Sequence, residues 1–437
     1  MRQRYDMEGR VARERPAGLT AEILATGEEI RTGALVDSNS AFIAEQLEQA
    51  GVKVVRLNGV GDDLVRLVAL LKEIGARADV AVVTGGLGPT VDDLSAQAAA
   101  AAAGLELRMD PAAMESIEAF FRQRNRTINP SIRKQALLPA GAEVLFNPVG
   151  TAPGFQVAIG GCRFFFLPGV PFEMKRMLAD HVLPRIGGLL GERREVRRVK
   201  TLSCFGLTES LTGERLDRLS EQFPDVQLGL RARFPEIQVK LYGSGRDEAR
   251  VGAALEKAAG WARDRLGDIV FSEAGEPMAA VVGRLLRERN ATLAAAESCT
   301  GGLIAHWLTE VPGSSDYFRL AAVTYANDAK TSVLGVAQDT LARWGAVHPE
   351  TAREMAAGVR RLAGATYGIA TSGIAGPDGG SEEKPVGTVC IGLATPDRAL
   401  AHRFHFSYGR RSMNKQMFAM KALDLLRREL LGRVPEV

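Results

Sequence analysis

A chain of 437 residues with 46% hydrophobic content can bury two or three separate cores, and one core of this length would be unusual. The formal net charge is only +3, with arginines interleaved among acids and no basic block, which gives nucleic-acid binding little electrostatic support. No apolar run approaches the roughly 20 residues of a membrane span, and the four cysteines, Cys162, Cys204, Cys299 and Cys390, lack CxxC spacing and read as small buried residues in a reducing cytoplasm.

Residues 1–18 lack the apolar stretch of a secretory signal and are expected to form a mobile, charged extension. A first domain is expected over 19–193. LTAEILATGEEI reads as a strand ending in glycine and paired acids. SNSAFIAEQLEQAG has helical spacing with a stop at Gly51. VKVVRLNGV, DDLVRLVALLKEIGARA and DVAVVTGG follow as strand, helix and buried strand. This alternation predicts a parallel sheet with helices on both faces, with ligands at the C-terminal ends of the strands. Thr84–Asp93, TGGLGPTVDD, falls there, and its three glycines and proline suit an anion-binding turn. Asp92 and Asp93 are expected to open the next helix. There they either answer its dipole or hold a divalent cation beside a bound phosphate.

Residues 194–272 read as strand-helix-strand-strand-helix-strand, a small α+β connector without catalytic spacing. The last domain is expected over 273–437. After the helix MAAVVGRLLRERN, the run Ala291–Ala296 reads as a buried strand, followed by a tight turn through Gly301-Gly302 and a helix. A hydroxyl on that turn lies near the positive end of the helix dipole, so Ser298 and Thr300 are either helix caps or site residues. VTYANDAK, the helix HPETAREMAAGVRRLAG, the strand ATYGIATSG and a second glycine-rich loop, Thr371–Gly387, come next. A hairpin and a closing amphipathic helix complete the chain. His402 and His405 stand three apart on a strand, face opposite ways and cannot share a metal.

AESCTGG, PGSS, TYxNxxK, GIAGPxGG and KPVG, in this order over the last third of the chain, resemble the nicotinamide-nucleotide amidohydrolase domain of the CinA (competence/damage-inducible) family. The resemblance implies hydrolysis of the carboxamide of NMN to nicotinate mononucleotide and ammonia, with no cofactor in this domain. It assigns Ser298 as nucleophile and Lys330 as base, with Tyr325 alongside and Ser372 in a hydroxyl-bearing position. Glu297, Thr300, Gly301, Gly302, Gly373, Ala375 and Gly376 would bind substrate, and Arg411 its phosphate. No histidine sits in a motif, which leaves a Ser-His-Asp arrangement unsupported, whereas a buried lysine can serve as base. Cys299 is the rival nucleophile. Neighbouring side chains on such a turn are expected to diverge, so that only one faces the pocket, and the motif favours Ser298. The chain departs from the family pattern at Ser372, at His348 in place of a hydroxyl, and at Arg410 in place of Asp.

GEEI with DSNS, TGGLGPTVDD, NPVGTAPGF (147–155) and LPGVPFEM (167–174) resemble the molybdopterin-binding-like domain that forms the N-terminal half of CinA proteins. In full-length members that domain is associated with metal-dependent ADP-ribose pyrophosphatase activity. The resemblance implies a divalent metal (Mg, Mn or Co) on Asp92, Asp93 and Glu28, the last standing where the family usually has Asp. It also implies a phosphate loop of Thr84, Gly85, Gly86, Gly88 and Thr90, flanked by Asn39. The expectation is a cytoplasmic multidomain α/β hydrolase acting on NMN and ADP-ribose, as a homodimer and away from nucleic acid and membrane. The alternative is a nucleotide- or molybdopterin-binding regulatory protein with little turnover.

Overall fold

The computed structural model describes residues 18–125, 127–191 and 196–433, and the extension expected over 1–18 lies, Gly18 apart, outside them. The chain forms two compact units, one of residues 1–198 with 243–253 and one of 199–242 with 254–437.

The first unit opens with β1 (Thr20–Thr26), α1 (Glu28–Arg31), α2 (Ser38–Gln49), β2 (Lys53–Val60), α3 (Leu64–Arg77) and β3 (Val80–Thr84). Asp37 and Asp63 cap α2 and α3 by accepting from amides of the first turn, at 2.9 Å from Ser40 N and 3.0 Å from Val65 N. After α4 (Ser95–Ala103), the short strands β4 (Leu107–Met109) and β5 (Leu137–Pro139) pair around α5 (Pro111–Gln123). Then come β6 (Glu143–Leu145), β7 (Gly154–Ile159), β8 (Cys162–Leu167), α6 (Pro171–Met177) and α7 (Leu183–Leu190).

The sheet runs β2-β1-β3-β8-β7-β6. Its first four strands are parallel, and β3 is buried at every position, as an apolar run covered on both faces must be. Beyond the parallel strands the sheet continues at its other edge with β7, antiparallel to both β8 and β6. Gly160-Gly161 joins β7 to β8 in a tight hairpin, and only antiparallel neighbours can be joined so briefly. Gly160, at φ 59°, also lies so close to Gly75 of α3 that a β-carbon would stand 2.8 Å from the Gly75 carbonyl oxygen.

The middle segment comprises β9 (Val196–Cys204), α8 (Glu209–Arg215), α9 (Leu219–Gln222), β10 (Val226–Arg233), β11 (Glu236–Gly245), α10 (Glu248–Leu266) and β12 (Val270–Ser272), with strands in the order β10-β11-β9-β12. The single helix expected after β9 is two short ones, and the break lets Leu216 and Leu219 both bury fully.

The last domain comprises α11 (Met278–Glu288), β13 (Leu293–Glu297), α12 (Leu303–Thr309), β14 (Phe318–Val323), α13 (Asn327–Leu334), α14 (Gln338–Trp344) and α15 (Pro349–Ala363). It ends with β15 (Tyr367–Gly373), β16 (Thr388–Ala394), β17 (Ala399–His405) and α16 (Arg411–Leu430). The sheet order is β14-β13-β15-β16-β17, parallel through the first three strands and antiparallel in the β16–β17 hairpin. α15 lies hard against this sheet because Gly368 and Gly392 carry no side chain. A β-carbon at either would collide with the carbonyls of Ala356 and Ala352. Among the described residues no helix is long and apolar enough to cross a membrane.

Candidate active sites

β13 is a fully buried interior strand, between β14 and β15, and it delivers Glu297 and Ser298 to the C-terminal edge of the sheet. The turn that follows is held on both sides. Ser298 N donates to Thr371 O at 3.0 Å, and the Thr300 and Thr371 hydroxyls lie 2.7 Å apart. Gly301 and Gly302 take φ of 59° and 90°, a region that glycine enters without penalty. The Glu297 carboxylate accepts from three amides at the start of α12: Gly302 N at 2.9 Å, Ile304 N at 3.2 Å and Ala305 N at 2.9 Å. It is fully buried and serves as the helix cap, the role the sequence left to Ser298 or Thr300.

Lys330, on α13, is 0% exposed. Its Nζ stands 3.3 Å from Ser298 Oγ, 2.9 Å from Thr324 O and 3.1 Å from Tyr325 O. Burial pushes its pKa down. A neutral amine satisfies this arrangement completely: its two N–H bonds go to the carbonyls, and its lone pair accepts the Ser298 O–H. The two side chains share a cavity of about 270 Å³ with Cys299, Tyr325, Ser372, Gly373, Ala375, Gly376, Asp378 and Arg411. Burial raises the Cys299 thiol to about 12, so it stays protonated at neutral pH and is no nucleophile in this state.

The first unit holds a second cavity, of about 410 Å³, at the C-terminal ends of β1, β3 and β8. Gly85 and Gly86, at φ 104° and 66°, form part of its wall, and a β-carbon on Gly86 would lie 2.5 Å from Ser95 Oγ. Five carboxylates line it, those of Glu29, Asp62, Asp92, Asp93 and Glu173, with no Lys, Arg or His among the described lining residues. Burial raises the Asp62 pKa, and the neighbouring carboxylates of Asp92, Glu29 and Glu28 push it further in the same direction.

Residues 275–430 match the CinA C-terminal domain, 22–188 a probable molybdopterin binding domain, and 199–272 the damage-inducible protein CinA KH domain. A CinA-like protein of Desulfosudis oleivorans is 53% identical over 413 residues, 94% of this chain and all of the relative. A CinA-like protein of Geobacter sulfurreducens is 44% identical, covering 93% of this chain and 98% of its own length. The chain belongs to the CinA family. A solved CinA structure from Thermoplasma acidophilum is 34% identical over 39% of this chain and 99% of that one, with a TM-score of 0.37. This CinA protein is thus a three-domain α/β chain, with a molybdopterin-binding-like domain, a KH-like middle domain and the CinA C-terminal domain.

Against that family frame, the expected site residues fall into groups. Ser298, Lys330, Gly373, Ala375, Gly376 and Arg411 come together around one cavity. Tyr325 lines it too, but the residue is 62% exposed, and its contact with Lys330 is through the backbone carbonyl. Its phenolic oxygen instead accepts from Arg411 Nη2 at 3.1 Å. Ser372 donates to Ala346 O at 2.7 Å and not to Lys330. Glu297, Thr300, Gly301 and Gly302 lie outside the lining and act in building the turn, because their polar groups are spent on α12 and Thr371. The expectation that only one of Ser298 and Cys299 faces the pocket is corrected, since both line it. His348 caps α15 through Nδ1, which accepts from Glu350 N at 3.1 Å, while its ring stacks on Trp344. Arg410 stands at the N-cap of α16 without a side-chain cap, as it has no acceptor to offer.

In the CinA N-terminal half, Gly85, Gly86, Gly88, Thr90, Asp92 and Asp93 line the cavity. Thr84 and Asn39 stand behind the wall. Asn39 Nδ2 donates to Thr84 Oγ1 and, at 2.8 Å, to Gly169 O, while Thr84 Oγ1 donates to Pro168 O at 3.0 Å. Asp92 and Asp93 precede α4 without entering it. Asp93 closes a turn by accepting from Thr90 N at 2.8 Å, and Asp92 accepts from the Thr90 hydroxyl. Glu28 is turned out of the cavity by its ion pair with Arg31, at 2.9 Å from Nε, and its neighbour Glu29 lines the wall instead. Among the described residues no three His, Cys, Asp or Glu side chains are grouped to hold a metal, so Glu28, Asp92 and Asp93 do not form the expected set. Asp62, Glu173, Gln135 and Asp378 were missed. Asp62 was within reach of the strand-end rule, because it closely follows β2.

Proposed function

We propose that the C-terminal domain hydrolyses the carboxamide of NMN to nicotinate mononucleotide and ammonia. The 3.3 Å approach of Lys330 Nζ to Ser298 Oγ inside a buried slot carries the reading. Ser298 gives its proton to neutral Lys330, and its oxygen attacks the carboxamide carbon. The backbone amide of Cys299, a residue of the cavity wall next to Ser298, is the donor this turn offers the oxyanion. Lys330 then returns the proton to the leaving nitrogen, which departs as ammonia and leaves an ester on Ser298. With Lys330 again as base, water cleaves that ester, releasing the carboxylate and restoring the serine. Arg411 spends two N–H groups on Gly376 O and Tyr325 OH, which leaves others for the substrate phosphate. The Asp378 carboxylate would favour the pyridinium cation. Incubation with NMN is expected to yield ammonia and nicotinate mononucleotide in equal amounts, and the absence of both would end this reading.

For the N-terminal domain we propose cleavage of ADP-ribose to AMP and ribose 5-phosphate. A dianionic pyrophosphate entering a cavity lined by five carboxylates, with no cationic side chain among the described lining residues, calls for a cation of its own. The donor set fits a divalent ion held by one or two carboxylates, Asp62 and Asp92, together with substrate phosphates. Asp62 and Asp92 would hold that ion, which when bound would supply positive charge against the phosphates. AMP formation is expected to cease in EDTA and to return with Mg, Mn or Co. Binding of ADP-ribose without AMP over hours would favour the regulatory alternative. The KH-like segment, residues 199–272, contains no Gly-x-x-Gly, the loop by which KH domains clamp a nucleic-acid backbone, which supports small nucleotides as the partners.

A further inference from the structure

A third cavity, in the second unit, is used by neither chemistry. Its volume is about 400 Å³, against about 270 Å³ beside Ser298. Phe234, Met278, Trp307 and Met420 supply apolar walls, and the charged lining side chains are Glu236, Glu310 and Arg233, with Arg233 3.7 Å from Glu236 and Glu310 3.5 Å from His306. A concave wall that mixes apolar and aromatic side chains with a few charged ones can hold and orient a small molecule.

Glu236, the first residue of β11, is 7% exposed. Its neighbours hold it weakly: Gln238 Nε2 at 3.4 Å, and Arg233 at 3.7 Å with a guanidinium side chain 64% exposed. A carboxylate removed from water without a close cation is costly, and burial accordingly pushes the Glu236 pKa up. The aromatic faces of Trp307 and Phe234 suit a positive charge spread over a ring.

We propose that this cavity binds a small aromatic organic cation, with Glu236 as its counter-ion and Trp307 and Phe234 as its stacking walls. The charge balance, two carboxylates to one guanidinium, selects a cation over an anion. The scarcity of oxygen donors on the walls selects an organic cation over a metal. NMN has a pyridinium ring, but its phosphate would meet both carboxylates, so the site is distinct in specificity from that of Ser298.

Calorimetric titration of the full chain with N-benzylpyridinium tests this, set against 4-benzylpyridine, its uncharged near-isostere at about pH 8. The cation is expected to bind roughly tenfold tighter than the isostere. Glu236→Gln should reduce that preference, and Trp307→Leu should weaken both ligands. Equal affinities in the wild type, no binding of the cation, an undiminished preference in Glu236→Gln, or displacement of the cation by NMN would each overturn the proposal. The wild-type comparison stands whether or not a variant folds.

Discussion

Lys330→Met is expected to lower kcat on NMN by roughly 10²–10⁴-fold, the usual contribution of a positioned general base. Methionine keeps the length and apolar stem of lysine in a slot that is fully buried, so the fold should survive the loss of two N–H donors to Thr324 O and Tyr325 O. Ser298→Ala should cost at least as much, and the double variant little more than Ser298→Ala alone, because nucleophile and base act as one unit. Lys330→Arg should be as inactive as Lys330→Met, since a guanidinium stays protonated. Cys299→Ala should retain activity, because its thiol is held protonated by burial.

The pH profile gives an independent measure of the same pair. The folded pKa of Lys330 is depressed below the ordinary lysine value of 10.5, so kcat/KM should rise with pH through that lowered pKa and then level off. Stability carries the same sign. Between the folded pKa and 10.5 the unfolded chain holds a proton that the native state does not, and unfolding free energy therefore increases with pH across that window. Lys330→Met should remove that contribution. A Lys330→Met enzyme within tenfold of wild type, or an inactive Cys299→Ala, would sink the Ser298–Lys330 assignment.

β3 and β13 were legible because each is an apolar run closed by a glycine-bearing turn, and both are buried along their whole length. The loops that end them were legible for a related reason. Backbone at positive φ needs glycine, so Gly85-Gly86 and Gly301-Gly302 mark strand ends whatever the ligand. The strand direction at the sheet edge was hidden, since an apolar strand in a hairpin reads like one in a parallel pair. Side-chain allegiance was hidden more deeply. Glu28 and Glu29 are adjacent and chemically alike, and only the presence of Arg31 one helical turn on decides which of them faces the cavity. The same limit separates Asp93, spent on Thr90, from Asp62, which is crowded by carboxylates.

Glu297 is the sharpest case, because the motif that places it beside the nucleophile does not reveal that it faces away from the ligand. Its two oxygens take up three amides at the start of a seven-residue helix, and the carboxylate itself is fully buried. Removing the carboxylate leaves those donors unpaired, at a cost of about 1–3 kcal/mol for each one left without water. Glu297→Ala is therefore expected to destabilise the C-terminal domain by about 3 kcal/mol, a fall in Tm of roughly 6–12 °C. Glu297→Gln should cost less, since one oxygen remains, but its amide N–H must then oppose a backbone N–H. Both variants let the turn that holds Ser298 drift, and a displacement of about 1 Å in a reacting group is enough to cost 10²-fold in kcat with a smaller change in KM. Ser298→Ala supplies the contrast, with activity lost and Tm unmoved. Thermal unfolding and steady-state kinetics on the three variants together separate positioning from chemistry. A Glu297→Ala protein that melts with the wild type would show that water caps α12 as well as the carboxylate does.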